Sequence, residues 1–336
     1  MARVYEGLLA QDDPLYEYLK NEIQPQLSDW DDVPAYNVYN LNGSNAVYLY
    51  EEIHSGTKMI GKYFLCDKEP VRESAARRMN REYDNLAMMR SYGFDKSPYY
   101  VAKPLGRNDD LNELLVVECC EGELLSSVID RTIEEGDDAL LFDKLAALGH
   151  FFAAFHNCTA FDEPVDFTFG YNYMGRVIEQ ASAMFDEGDA EEFEELRSIW
   201  RERSEMWEDN RVMVHGDATT ANFMFGDDEN VCTFDFERVM PADRIFDMGR
   251  MAGELMHSFL LGTGDKYAAE PFIGHFLWEY STRFPDREAT FASITKRIPY
   301  YMGTTLLRIS RNDYLEPDYR RRLIYEAKNC LKESEE

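Results

Sequence analysis

Positive charge is scarce in this chain. Of 336 residues, 35 are Lys or Arg against 64 Asp or Glu, a formal net charge of -29. That balance excludes non-specific binding to nucleic acid or to an anionic membrane, both of which need a cationic face. Lysine is the rarer cation, 11 against 24 arginines, and none falls between Leu145 and Asp265, where 25 acidic residues stand with 8 arginines. Long apolar runs are missing too: no stretch reaches the ~18 residues of a membrane-crossing helix. Asp12-Asp13-Pro14 interrupts the N-terminus before a leader-like apolar stretch can form. The six cysteines (66, 119, 120, 158, 232 and 330) include no C-x-x-C pair and no metal-ligand spacing. A disulfide between the adjacent Cys119 and Cys120 would be strained, so both are expected as buried thiols, and the chain as a soluble protein of a reducing cytoplasm. The absence of G-x-x-x-x-G-K-[ST] leaves a P-loop nucleotide site unsupported. There is no internal repeat and no low-complexity tract.

Enough apolar sequence is present to build a large core. Hydrophobic residues make up 45% and aromatic residues 14%, which argues against disorder and allows one large domain or two lobes. Residues 1–35 read as a helical extension, with Pro14 suited to a first turn and Leu15, Tyr18, Leu19 and Ile23 at helical spacing. Short strand-like runs follow at 36–41, 46–52 and 58–65, separated by Asn42-Gly43-Ser44-Asn45 and Ser55-Gly56. A helix is predicted over 71–92, its stripe formed by Ala75, Met79, Glu82, Tyr83, Leu86 and Met89. Two more strands are expected near 101–105 and 114–118. Beyond Gly122 the pattern turns helical, with an apolar stripe over 140–156, an aromatic-rich loop at 161–173 and a helix capped by Asp189. Three helices close the chain, at about 267–284, 288–311 and 317–333.

One segment stands apart. Val212-Met213-Val214 leads into His215-Gly216-Asp217; Asn222 follows five residues later, and Asp235 thirteen beyond that in Thr233-Phe234-Asp235-Phe236-Glu237. A carboxylate, an amide and a second carboxylate at these intervals are the parts of a phosphoryl-transfer site. One carboxylate accepts the proton of an attacking hydroxyl; the amide oxygen and the other carboxylate hold magnesium on nucleotide phosphates.

His215-Gly216-Asp217-x-x-x-x-Asn222 followed by Asp235-x-Glu237 resembles the signature of the aminoglycoside phosphotransferase and choline kinase superfamily. Protein kinases share the spacing but usually carry Arg at the position of Gly216, and Phe-Gly after the metal-binding Asp where this chain has Phe236-Glu237. The resemblance implies an α+β, protein-kinase-like fold of two lobes. Residues 36–121 would form a small antiparallel-sheet lobe, and residues 122–336 a mostly helical lobe with the catalytic loop. It implies an ATP-dependent small-molecule kinase that uses Mg2+, with Asp217 as general base and Asn222 and Asp235 as metal ligands. Glu237 would assist the metal or face a substrate, or else pair with Arg238 or Arg244. His215 would brace the loop, and Asp247 would steady it through hydrogen bonds.

Lys62 sits among apolar neighbours on the third predicted strand, where a lysine needs a phosphate or a carboxylate partner. The resemblance places it on the nucleotide phosphates and pairs it with a helix glutamate, for which Glu82 is the candidate. Gly43 and Ser44 would lie in the loop over the phosphates, and Glu118 and Cys119 where backbone groups read the adenine edge. The substrate expected is a small hydroxyl compound, with no nucleic acid or membrane partner. The acidity of 145–265 suggests a cationic acceptor on one reading and a solvated surface on the other. Tyr171, Tyr173, Trp278, Tyr300 and Tyr301 would line the acceptor pocket or fill the core. A protein kinase, or a nucleotide-binding module without catalysis, is the alternative.

Overall fold

Asp13 sets the first helix: its carboxylate accepts the Leu15 N–H at 2.9 Å, and Pro14 occupies the first turn. The computed structural model describes residues 3–27, 33–41, 46–226 and 230–332. They fall into two compact units, Met1–Glu121 with Cys232–Glu237, and Gly122–Val231 with Arg238–Glu336. Cys232–Glu237, which the sequence reading kept with the helical part, groups with the first unit.

The first unit is built on an antiparallel sheet. Its strands are β1 (Arg3–Leu8), β2 (Tyr36–Leu41), β3 (Ala46–Glu52), β4 (Lys58–Tyr63), β7 (Pro104–Asn108) and β8 (Leu114–Glu118), in the order β1-β2-β3-β4-β8-β7. The short strands β5 (Asp95–Lys96) and β6 (Tyr99–Val101) form a separate hairpin. Residues 1–35 are not a helical extension throughout, because Arg3–Leu8 pairs as a strand with β2. The exposed edge of β2 offers unpaired backbone groups that a neighbouring segment can satisfy. Helical structure begins only at α1 (Pro14–Tyr18). Leu15, Tyr16, Tyr18, Leu19 and Ile23 then bury against Tyr36, Tyr50, Met59, Leu114 and Val116 of the sheet.

Helix α2 (Arg72–Ser91) buries Ala75, Met79, Glu82, Leu86 and Met89 of the predicted stripe, while Tyr83, also expected on it, is half-buried. Glu82 is the one charged member of that stripe. Cys120 is disulfide-bonded to Cys232, a correction to the expectation of thiols. The partners lie 112 residues apart, so no spacing rule could pair them. Cys119 is a half-buried free thiol whose pKa burial raises.

The second unit is mostly helical. It contains β9 (Glu123–Leu124), α3 (Leu125–Glu135), α4 (Asp138–Cys158), α5 (Thr168–Ala181), α6 (Asp189–Arg201), β10 (Val212–Val214), β11 (Phe223–Phe225), β13 (Met240–Ala242), α7 (Ile245–Thr263), α8 (Glu270–Ser281), α9 (Arg287–Ile309) and α10 (Pro317–Lys332). Strand β12 (Val231–Thr233) runs from this unit into the first. The expected loop at 161–173 ends early, because the Asp166 carboxylate accepts the Thr168 N–H at 3.0 Å and starts α5. Gly188, with φ 90°, takes the cap position expected for Asp189, which binds Lys328 from inside the first turn at 2.8 Å. Helix α7 packs closely on α9: a Cβ at Gly249 would lie 2.4 Å from the Tyr301 Cβ. Tyr300 and Tyr301 are core residues, 0% and 3% exposed. Among the described residues no helix is long and apolar enough to cross a membrane.

Candidate active site

In the first unit, β4 carries Lys62 and α2 carries Glu82 into the interior, where they are 8% and 3% exposed. The Lys62 ammonium donates to Glu82 at 2.6 Å and to Asp235 at 2.8 Å. Burial alone would lower its pKa, but Glu82 and Asp235 outweigh that and hold it above the usual lysine range. Burial pushes the Glu82 carboxyl up, with Lys62 pulling the other way.

Asp235 follows β12 with φ 66°, the left-handed region, at a cost of about 1–3 kcal/mol for a residue with a Cβ. The surrounding contacts hold it there. Phe236 is fully buried and its carbonyl accepts the Asn85 amide at 2.7 Å. Glu237 pairs with Arg78 at 2.9 Å. Oxygens of Glu82, Asp235 and Glu237 all lie within 4.8 Å of one another. Lys62 and Arg78 pair with these carboxylates, and Arg78 also serves Glu69 at 3.6 Å. Hard oxygen donors at this range fit a small divalent cation.

In the second unit, β10 leads into the loop that carries Asp217. Asp247 on α7, fully buried, accepts the N–H groups of His215 at 2.6 Å and Gly216 at 3.0 Å, and His156 stands 3.4 Å from the same carboxylate. These bonds brace the turn. Gly216 has φ 77°, and a Cβ there would lie 2.2 Å from the Arg238 carbonyl oxygen. Only glycine fits, which accounts for the absence of a side chain before Asp217. Asn222 donates its amide nitrogen to the Asp217 carbonyl at 2.9 Å, committing that end of the side chain to the loop.

The Asp217 carboxylate is surrounded by arginines. Arg250 on α7 reaches one oxygen at 2.5 Å, Arg308 on α9 reaches the same oxygen at 3.2 Å, and Arg238 approaches the other at 3.8 Å. Burial would raise its pKa, but Arg250, Arg308 and Arg238 in that order outweigh it and hold it below the usual aspartate value. Tyr173 accepts a hydrogen bond from Arg250 at 2.5 Å. Tyr171 lies beneath Arg197 and Arg201, and Trp278 beneath Arg287, so all three of these expected pocket residues meet arginines.

The sequence-predicted residues gather in two places, Lys62, Glu82, Asp235 and Glu237 in one unit and Asp217 and Asn222 in the other. Glu118 ends β8, where its carboxylate accepts the Lys103 N–H and pairs with Arg90 at 3.7 Å. Gly43 and Ser44 lie outside the described residues. Arg78, Arg250 and Arg308 were missed. Arg250 had a signal: it interrupts the apolar run Ile245-Phe246 to Met251-Ala252, and a buried arginine needs a carboxylate.

Residues 41–279 match the phosphotransferase enzyme family. The chain belongs to that family. It is therefore a phosphotransferase. No curated protein sequence matches it. Solved structures with the same kinase-like fold include amicoumacin kinase hAmiN in complex with AMP-PNP, Ca2+ and Ami, at 15% identity and a TM-score of 0.60, covering 96% of this chain and 94% of that one. A second is the gentamicin complex of APH(2")-IIa, at 14% identity and a TM-score of 0.55, with 96% of each chain covered. A Plasmodium vivax ethanolamine kinase aligns at 14% identity and a TM-score of 0.54, over 89% of this chain and 81% of its own. At these identities the likeness establishes the fold.

Proposed function

We propose that this phosphotransferase moves the terminal phosphate of ATP, or of another nucleoside triphosphate, to a hydroxyl of a small molecule. The observation that carries the reading is the buried Lys62 ammonium held by Glu82 and Asp235 within a carboxylate-rich cluster. Glu82 positions Lys62, and Lys62 contacts the phosphates. Asp235 and Asn222 are the proposed ligands of magnesium, with Glu237 assisting; when bound, the metal neutralises charge on the phosphate oxygens. Asp217 orients the acceptor hydroxyl and takes its proton. Because Arg250 and Arg308 keep Asp217 ionised, it is ready to accept that proton but is a weak base. Its contribution is to orient the hydroxyl first and take the proton late. Nearby backbone at Glu118 and Cys119 is the proposed adenine contact.

Phosphorylated-product and ADP-release assays against amino alcohols, sugars, hydroxy acids and aminoglycosides test the reading. Acceptor-dependent ADP release that collapses in Asp217→Asn, with nucleotide binding kept, is the expected outcome. Full turnover by Asp217→Asn would remove it from the role of base.

A further inference from the structure

The sheet of the first unit has a second face, opposite to Lys62. Side chains alternate along a strand, so Tyr63 leaves β4 on the other side from Lys62. The register sets Tyr48 of β3 against Gly61 and Tyr50 against Met59, and these share the Tyr63 side. Helix α1 packs on this face. Beside it lies a cleft of about 410 Å3 that runs from Asp13 to the three tyrosines. A cleft of that size can hold a small organic molecule. The Tyr48 and Tyr63 rings meet edge to face, with centroids 5.7 Å apart and planes at 85°, and form an aromatic corner. The Tyr50 and Tyr63 hydroxyls lie 2.9 Å apart. Gly61 makes the arrangement possible, because a Cβ there would lie 2.8 Å from the Tyr50 ring.

Among the described residues, Asp13 is the only charged side chain lining the cleft. One of its oxygens accepts the Leu15 N–H; the other is held by no hydrogen bond or ion pair among those residues. Burial raises the Tyr63 pKa, a hydrogen bond with Tyr50 opposes this, and the Asp13 charge adds to the rise. The phenol therefore stays neutral near pH 7. An anion would meet a carboxylate here and no lysine or arginine. A metal ion would find one carboxylate and aromatic walls in place of a set of hard oxygens. An organic cation suits both features, because ring faces attract it and the carboxylate pairs with it. We propose that this cleft binds a small organic cation, its ammonium group held between Asp13 and the tyrosine corner and its apolar body against Leu9 and Leu65. The site lies across the sheet from Lys62 and requires no role for Asp217 or Asp235.

The test is isothermal titration of the full chain with three compounds of similar shape: phenethylamine as the cation, 3-phenylpropionamide as the neutral compound and 3-phenylpropionate as the anion. None carries an alcohol hydroxyl that could accept a phosphate. A single phenethylamine should bind per chain, about fivefold or more tighter than the amide, with the anion weakest. Asp13→Asn keeps the helix cap, since an asparagine oxygen also accepts the N–H, and should erase the preference for the cation over the amide. Tyr48→Leu keeps an apolar side chain but removes a ring, and should weaken phenethylamine about threefold or more. Binding to Asp217→Asn should match the wild type. Equal affinity for the three compounds, or no binding of phenethylamine, would overturn the proposal. So would unchanged affinity in Tyr48→Leu, or a preference for the cation that persists in Asp13→Asn. Binding lost in Asp217→Asn would place the cation in the second unit and would likewise overturn it.

Discussion

Two aspartates of this chain do opposite things with charge. Asp235 lies with Glu82 and Glu237 beside Lys62. Asp217 lies beside Arg250, Arg308 and Arg238. On the proposed reading the same side chain meets an incoming cation in one place and stays ionised to orient a hydroxyl in the other. Chemistry follows from the neighbours: a metal ligand needs uncompensated negative charge, whereas a base that orients a hydroxyl needs only to remain deprotonated and fixed.

The comparison breaks most visibly if Arg250 is removed. Arg250→Met should destabilise the protein by about 3–5 kcal/mol in urea unfolding, because a buried carboxylate loses its closest cation. Pairing it with Asp217→Asn should recover much of that loss; an unchanged midpoint in the single variant would show that the pair is not structurally required. Asp217→Asn alone should lower turnover by a factor on the order of 10² while the fold and nucleotide affinity persist. Gly216→Ala should cost more than ~1 kcal/mol through its left-handed backbone and the clash with the Arg238 carbonyl, measured as a lower melting temperature. The smallest effect concerns pH. Asp217 has a depressed pKa in the folded protein, so the rate should hold as pH falls and be lost only as pH passes below the usual aspartate range. Arg308→Gln removes one of the groups that lower it, so the acid limb of the kcat profile should move to higher pH. A limb that stays in place would mean that Arg308 does not tune Asp217.

Much of the first cluster was legible in the sequence. Lys62 between apolar neighbours and Glu82 on an apolar stripe are both anomalies that demand partners, and Asp235-x-Glu237 following His215-Gly216-Asp217 and Asn222 resembled a known signature. The stripe of α2 and the strands from Tyr36 to Tyr63 follow from simple periodicity. The surroundings of Asp217 were far less legible. Arg250 and Arg308 approach it from helices 33 and 91 residues away in the chain, and periodicity says nothing about pairings at that distance. The Cys120–Cys232 link and the Arg78–Glu237 pair escaped for the same reason. Arg3–Leu8 was read as helical because its pairing with β2 is a property of an unsatisfied edge, not of the segment itself. The acidity of 145–265 left a cationic acceptor and a solvated surface both open, and the side chains gathered around Asp217 are arginines.

The most direct measurement is an isothermal titration of ATP into the wild type and Asp235→Ala, with and without Mg2+. The account predicts tight binding to the wild type only with the metal present, and loss of the metal-dependent part in Asp235→Ala with the fold intact. Equal affinity in all four titrations would contradict it.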